Sequence, residues 1–123
     1  MIIVGDELIE YDQFEFINSI DDILHTKPNS VLIFEYNKTI LAHLQTNQIA
    51  SAPIITNITQ SVIANAMNAK YQICDTTISH QLQKIAENYI YDSKILAIIE
   101  NEKEIEKLAI QGIDGVIYKK IIQ

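Results

Sequence analysis

The chain has few of the residues on which many protein functions depend. Its 123 residues include one cysteine, three glycines, two prolines and no tryptophan, and each of its nine cationic residues is a lysine. A single cysteine excludes an internal disulfide and a cysteine-rich zinc site, and three glycines are too few for a glycine-rich phosphate-binding loop. Without arginine, the chain also lacks the planar side chain that binds phosphate and carboxylate groups in a bidentate way.

Positive charge is also scarce. Nine lysines stand against 16 acidic residues, which gives a formal net charge of -7 and a pI of about 4.8. Sequence-independent binding to nucleic acid requires clustered cations on the protein surface. We therefore expect no nucleic-acid partner.

Targeting and membrane segments are not recognisable in the sequence. The first residues, MIIVGDE, carry no cationic region, and their apolar run ends at Val4. No apolar stretch approaches the roughly 18–20 residues that a membrane-spanning helix needs. We therefore expect a cytoplasmic protein in a reducing environment, without a membrane partner, in which Cys74 is a buried core residue of a strand.

What the chain has in abundance is apolar residues arranged in short runs. Hydrophobic residues make up 48% of the sequence, and 26 of them are isoleucines. Runs at residues 31–34, 71–74, 95–99 and 115–118 predict strands buried on both faces, and residues 49–55 predict an edge strand because they contain Pro53. Helical spacing predicts helices between these strands, at residues 38–46, 57–67, 77–89 and from Asn101 to Gly112.

This alternation predicts an α/β fold in the form of a three-layer sandwich. The sheet is expected to be mainly parallel, with five to six strands and right-handed connections. Helices are expected on both faces, because the strands are apolar on both sides. Residues 1–123 are predicted to form a single domain, with a core at 31–123 and an amino-terminal extension, 1–30, packed on the sheet. The extension is predicted to contain a short hairpin or an extended edge at 2–9 and a short helix, 20–24, capped by Ser19.

Three polar residues follow predicted strands, and they suggest a family. Glu35, Asp75 and Lys119 come at the carboxyl ends of the first, third and last core strands, where open α/β sheets bind ligands. With the segment GIDGVIYKK at 112–120, this pattern resembles a response-regulator receiver domain, which has a flavodoxin-like fold. The resemblance implies that Asp75 accepts a phosphoryl group, that Lys119 contacts it, and that Glu35 and Asp75 bind Mg²⁺; no other cofactor is expected.

The sequence also departs from the receiver pattern at several positions. Glu35 is followed by Tyr36 rather than by a second acid, Lys119 is followed by Lys120 rather than by proline, and no serine or threonine follows the strand at 95–99. Without that hydroxyl group, nothing obvious converts phosphate charge into motion. The departures therefore predict a degenerate, receiver-like module.

A receiver domain continues from its last strand into a helix, which is missing here. We expect the open face to be covered by the short helix at 20–24, and the strand at 116–122 to pair with a second copy of the chain. These expectations together predict a homodimer, or binding to another protein.

Two classes of function follow from the sequence. The first is a non-catalytic, receiver-like regulatory or protein-interaction module that self-associates, and the lack of catalytic motifs favours it over an enzyme. The second is a small enzyme, or a protein that binds phosphate or a small ligand, using the edge formed by Glu35, Asp75 and Lys119. For this class, the segment 102–117 also resembles the closing βα units of phosphate-binding barrels, in which Gly-x-Asp-Gly precedes a strand. The frequent isoleucine, lysine and asparagine residues are typical of an AT-rich, bacterial source.

Overall fold

The computed structural model describes residues 1–123 as seven strands and four α-helices joined by short connections. The strands are β1 (Ile2–Val4), β2 (Phe14–Phe16), β3 (Val31–Glu35), β4 (Ser51–Ile54), β5 (Tyr71–Cys74), β6 (Lys94–Ile99) and β7 (Gly115–Tyr118). The helices are α1 (Lys38–Thr46), α2 (Ile58–Ala66), α3 (Thr76–Asn88) and α4 (Ile105–Ile110), with 3-10 helices at Ile20–His25, Glu102–Glu104 and Lys119–Ile121.

All seven strands belong to one sheet and run parallel to their neighbours. Their order is β1-β7-β6-β5-β4-β3-β2. The predicted α/β class and parallel sheet are confirmed, and the arrangement is consistent with a flavodoxin-like sandwich, although the sheet has seven strands rather than five to six. From β2 to β7 the order in the sheet is also the order in the chain, whereas flavodoxin-like sheets change direction at one strand.

The two faces of the sheet are covered in different ways. In β3, Leu32 and Phe34 belong to a cluster that includes the buried apolar residues of all four α-helices, which we call the outer cluster. Val31 and Ile33 point the other way, into a second cluster made mainly of strand residues, which we call the inner cluster. The prediction of helices on both faces is therefore wrong, because all four α-helices pack on the outer cluster. The inner cluster is covered by the sheet itself, together with Ile121 and Ile122.

Contacts across the inner face show that the sheet is strongly curled. Phe14 on β2 and Tyr71 on β5 have ring centroids 5.3 Å apart. Three strand spacings separate β2 from β5, which is roughly 14 Å in a flat sheet. Curling brings the two rings together, so that the inner face buries its apolar side chains against one another.

The amino-terminal residues supply both edges of the sheet. β1 pairs with β7, and β2 pairs with β3. Gly115 makes the first pairing possible, because a Cβ atom there would lie 2.6 Å from the carbonyl oxygen of Ile2. The predicted extended edge at 2–9 is therefore present at Ile2–Val4, but no hairpin forms, and β7 is an interior strand that has no free edge for a second copy.

The short helix predicted at 20–24 is present as the 3-10 helix Ile20–His25. Ser19 precedes it, and the Asp22 carboxylate accepts a hydrogen bond from the Ser19 backbone N–H at 3.2 Å. Ile20 and Ile23 pack against the outer cluster. The helix therefore covers part of the sheet beside β2, on the same face as the α-helices.

The prediction that Pro53 places its strand at an edge is wrong, because β4 lies between β3 and β5. Ser51 accepts a hydrogen bond from Lys70, and Ile55 donates one to Ile73, so the odd-numbered residues of β4 face β5. The missing N–H of Pro53 therefore weakens only the β4–β5 ladder, which has a single register pair, Ile54 with Ile73.

Two polar networks, one buried and one partly buried, connect helices to strands. In the first, the Ser61 hydroxyl donates to Gln72 Oε1 at 2.7 Å and lies 3.2 Å from the Tyr91 hydroxyl. In the second, the Asp114 carboxylate accepts hydrogen bonds from Gln83 Nε2 at 3.1 Å and from the Ile95 backbone N–H at 2.9 Å. Each network satisfies polar groups that the sheet and helices would otherwise bury without partners.

None of the helices combines the length and the apolar character needed to cross a membrane.

Candidate functional site

Asparagine and aspartate begin the helices at the carboxyl end of the sheet. Asn37, Asn57, Asp75 and Asn101 are the N-cap residues of α1, α2, α3 and the 3-10 helix Glu102–Glu104. Each side chain accepts a hydrogen bond from a backbone N–H in the first turn, which would otherwise lack a partner. Capping therefore accounts for one polar residue after each of the strands β3 to β6.

Asp75, the predicted phospho-acceptor, occupies one of these cap positions. Its Oδ1 accepts a hydrogen bond of 2.9 Å from the Thr77 backbone N–H. The hydrogen bonds from Thr77 hold the pKa of this exposed carboxyl below its usual range, and the helix dipole favours the same ionised form. An ionised, accessible carboxylate is compatible with phosphorylation, which stays a prediction, but asparagine fills the same position in the other three units.

Lys119 and Glu35 lie at the same end of the sheet without contacting Asp75. The Lys119 ammonium forms an ion pair with Glu100, at 3.6 Å between Nζ and Oε1, and both side chains are more than 70% exposed. The ion pairs of the chain include none between Lys119 and Glu35 or Asp75. The structure therefore places the three predicted residues on one end of the sheet, where one strand separates Asp75 from Lys119, one separates Asp75 from Glu35, and three separate Lys119 from Glu35.

The predicted Mg²⁺ ligands, Glu35 and Asp75, do not belong to a larger group of ligands. No group of three or more histidine, cysteine, aspartate and glutamate side chains is arranged to hold a metal ion. Mg²⁺ can bind through one or two carboxylates when it keeps several of its waters. The Mg²⁺ site therefore stays a prediction that rests on these two residues.

An open cleft of about 450 Å³ lies beside the Glu100–Lys119 ion pair. Lys120 also lines it, with Nζ 5.4 Å from the centroid of the Tyr118 ring. Two lysines in one cleft favour an anionic ligand. This cleft contains Lys119 but neither Glu35 nor Asp75.

Cys74 is buried in β5, as predicted for a core residue. Burial, with a smaller effect of the Asp75 charge, raises the pKa of its thiol to about 12. A thiol in this state is neither a nucleophile nor a metal ligand near neutral pH. Cys74 therefore contributes packing, and no chemistry, to this end of the sheet.

At the opposite end of the sheet, all four α-helices end in the same way. The residue after each C-cap has a positive φ, and the backbone N–H of the next residue, which is buried or partly buried, bonds to a carbonyl oxygen five residues earlier, which is a Schellman motif. The positive-φ residues are Gln48 (55°), Asn68 (63°), Ile90 (50°) and Gly112 (73°).

Ile90 is the unusual member of this set, and our reading of the sequence missed it. A left-handed conformation costs a residue with a Cβ atom roughly 1–2 kcal/mol, and it is a true outlier for a β-branched side chain. The Ile90 side chain is also 86% exposed, and the neighbouring Tyr89 is 72% exposed. The available signal was the run Tyr-Ile-Tyr at 89–91, where a helix end favours glycine or asparagine.

No protein-family model matches this chain, and no curated protein sequence is significantly similar to it. The resemblance to receiver domains therefore rests on the residues around the carboxyl end of the sheet.

Proposed function

We propose that the chain is a non-catalytic protein-interaction module, receiver-like in the placement of Glu35, Asp75 and Lys119, that works by self-association or by binding another protein. One observation carries the proposal: large apolar side chains are exposed on a domain whose core is complete. Leu8, Leu24, Ile90 and Ile110 are each more than 80% exposed. Exposed apolar residues that occur in groups mark interaction sites more often than isolated ones do.

Five of the nine exposed large apolar residues form two groups in the chain, and the other four are isolated. Leu8, Ile9 and Tyr11 lie in the loop between β1 and β2, which we call the acidic loop because it also contains Asp6 and Glu7. Its ends are fixed, since the Leu8 N–H donates to Asp6 at 2.8 Å, and Asp12, near the end of the loop, pairs with Lys70 at 2.8 Å.

The second group, Tyr89 and Ile90, lies at the end of α3, and we call it the α3 corner. Both groups present apolar side chains on a defined backbone, which reduces the entropy lost on binding. Neither group contacts a cleft of the carboxyl end, so the proposed interaction needs no chemistry at Asp75 or Lys119.

The two lysines in the cleft support a second candidate, the binding of phosphate or another small anion. In this alternative, Lys119 contacts the anion and Asp75 is the phosphorylated residue. The Glu100–Lys119 ion pair is exposed, so an anion that displaces the Glu100 carboxylate breaks an interaction worth less than about 1 kcal/mol.

One experiment separates the candidates. Sedimentation velocity of the full chain, from low to high micromolar concentration, is expected to show a concentration-dependent increase in mass. A strictly monomeric chain contradicts the self-association. In parallel, beryllofluoride with Mg²⁺, Mg²⁺ alone and inorganic phosphate are added during thermal unfolding. We expect no change in melting temperature, whereas an increase that Asp75→Asn abolishes favours the anion-binding alternative.

A further inference from the structure

The α3 corner has a residue type that the fold itself does not require. Ile90 has a φ of 50°, which disfavours its β-branched side chain, and that side chain is 86% exposed. No packing in the monomer therefore compensates for the backbone strain. Strained residues without a structural reason tend to lie at functional sites.

The other three helix ends show that the fold works with residues that suit this conformation. Asn68 and Gly112 are the two types that adopt positive φ most readily, and Gln48 is polar and exposed. An asparagine or glycine at position 90 would keep the same Schellman hydrogen bond, from Tyr91 N–H to Ala86 at 2.9 Å. The exposed isoleucine therefore needs an explanation outside the monomer.

The charge around the α3 corner indicates what covers it. Residues 84–94 contain Lys84, Glu87, Asp92 and Lys94, so this segment has no net charge although the chain carries -7. Two copies of a strongly acidic protein repel each other at most surfaces, but not where charges of both signs balance. The acidic loop has only acids, and would repel its own copy.

We propose that the α3 corner is the contact between two copies of this chain, with Ile90 as its anchor. The contact is isologous: Tyr89 and Ile90 of each copy pack against the same two residues of the other across a two-fold axis. Tyrosine is typical of interface centres, where it buries a large area at a small entropy cost. This inference rests on the proposed self-association and specifies its surface.

The test compares Ile90→Asn with the unaltered chain by sedimentation velocity over the same concentrations. The substitution is expected to raise the dimer dissociation constant by at least about ten-fold, because it removes the anchor. The melting temperature of the dilute, monomeric protein is expected to stay equal or to rise, because asparagine suits a positive φ. Tyr89→Ser is expected to weaken association without raising the melting temperature.

Two matched controls separate the surface from the backbone effect. Gln48→Gly relieves a similar conformation at the end of α1, and Leu8→Ser removes an exposed apolar side chain from the acidic loop. Both are expected to leave the dissociation constant unchanged.

The outcomes distinguish this inference from the proposed function. If the unaltered chain dimerises and Ile90→Asn dimerises equally well, the α3 corner is not the contact, while self-association stands. If Leu8→Ser weakens the dimer and Ile90→Asn does not, the contact lies at the acidic loop. A chain that is monomeric at every concentration overturns this inference and the self-association, and leaves binding to another protein as the proposed function.

Discussion

The two ends of the sheet use polar residues in different ways. At the carboxyl end, Asp75 and the three asparagine caps bond only to the first turn of their own helices, and the Glu100–Lys119 pair is exposed. At the amino end, polar residues connect segments that are distant in the chain, such as Asp114 with Gln83. The difference teaches that polar residues at the usual ligand-binding end of a parallel sheet can have a local, structural origin.

The largest effect expected from this comparison is at Asp114. Substitution of Asp114 by alanine leaves the Ile95 N–H and Gln83 Nε2 without acceptors, and is expected to lower the free energy of unfolding by about 3 kcal/mol. Urea unfolding measures the change. Asp92→Ala, which removes an exposed acid at the same end, is the control and is expected to change the value by less than about 0.5 kcal/mol. If the two substitutions lowered the free energy of unfolding equally, the Asp114 hydrogen bonds would not stabilise the fold, and the amino end would not differ from the carboxyl end.

A smaller effect is expected at the hydrogen bond of 2.7 Å from the Tyr71 hydroxyl to Asp12. Tyr71→Phe is expected to cost about 1 kcal/mol at pH 7. Hydrogen bonds from Lys70 and Tyr71 lower the pKa of Asp12, so this stability is present above the unfolded pKa, about 4, and is lost as the pH falls through the lower folded value. The difference between the two proteins should therefore shrink in acid, and a constant difference from pH 7 to pH 3 would show that the charge of Asp12 is not involved.

The smallest effect is expected at the carboxyl end itself. Asp75→Ala removes a helix cap and is expected to cost about 1 kcal/mol or less, whereas Asp75→Asn is expected to be almost neutral, since asparagine caps α1 and α2. Thermal unfolding of both variants at pH 7 measures this. If Asp75→Asn proves as harmful as Asp75→Ala, the carboxylate does more than cap α3.

Local features of the fold were predictable from the sequence, because neighbouring residues determine them. The helix predicted at 38–46 has the bounds Lys38–Thr46, and Gly112 ends α4 as predicted. The positions of the edges were not predictable, because nothing in the Ile2–Val4 segment specifies β7 as its partner. Likewise, the prediction from Pro53 assumes that a strand without one N–H must lie at an edge. The sheet instead accommodates the missing N–H between β4 and β5.

The candidate site was predictable to the same extent. The placement of Glu35, Asp75 and Lys119 at one end of the sheet follows from strand direction alone, and the structure has it. Which of these side chains contact each other depends on the order of the strands in the sheet, and a local sequence pattern does not specify that order. The conformation of Ile90 follows from the position of a helix end, which sequence patterns locate only to within a few residues.

The pairing of β1 with β7 has a consequence for how this chain reaches its native state. Ile2 pairs in register with Gly115, so most of the polypeptide lies between the two paired strands in the sequence. Units such as β3–α1–β4 can form from local contacts, but β1 gains its hydrogen bonds only after a very large loop has closed. Until then the edge of β7 is exposed, and the interval before β1 docks is when the folding chain is most open to mispairing with another molecule.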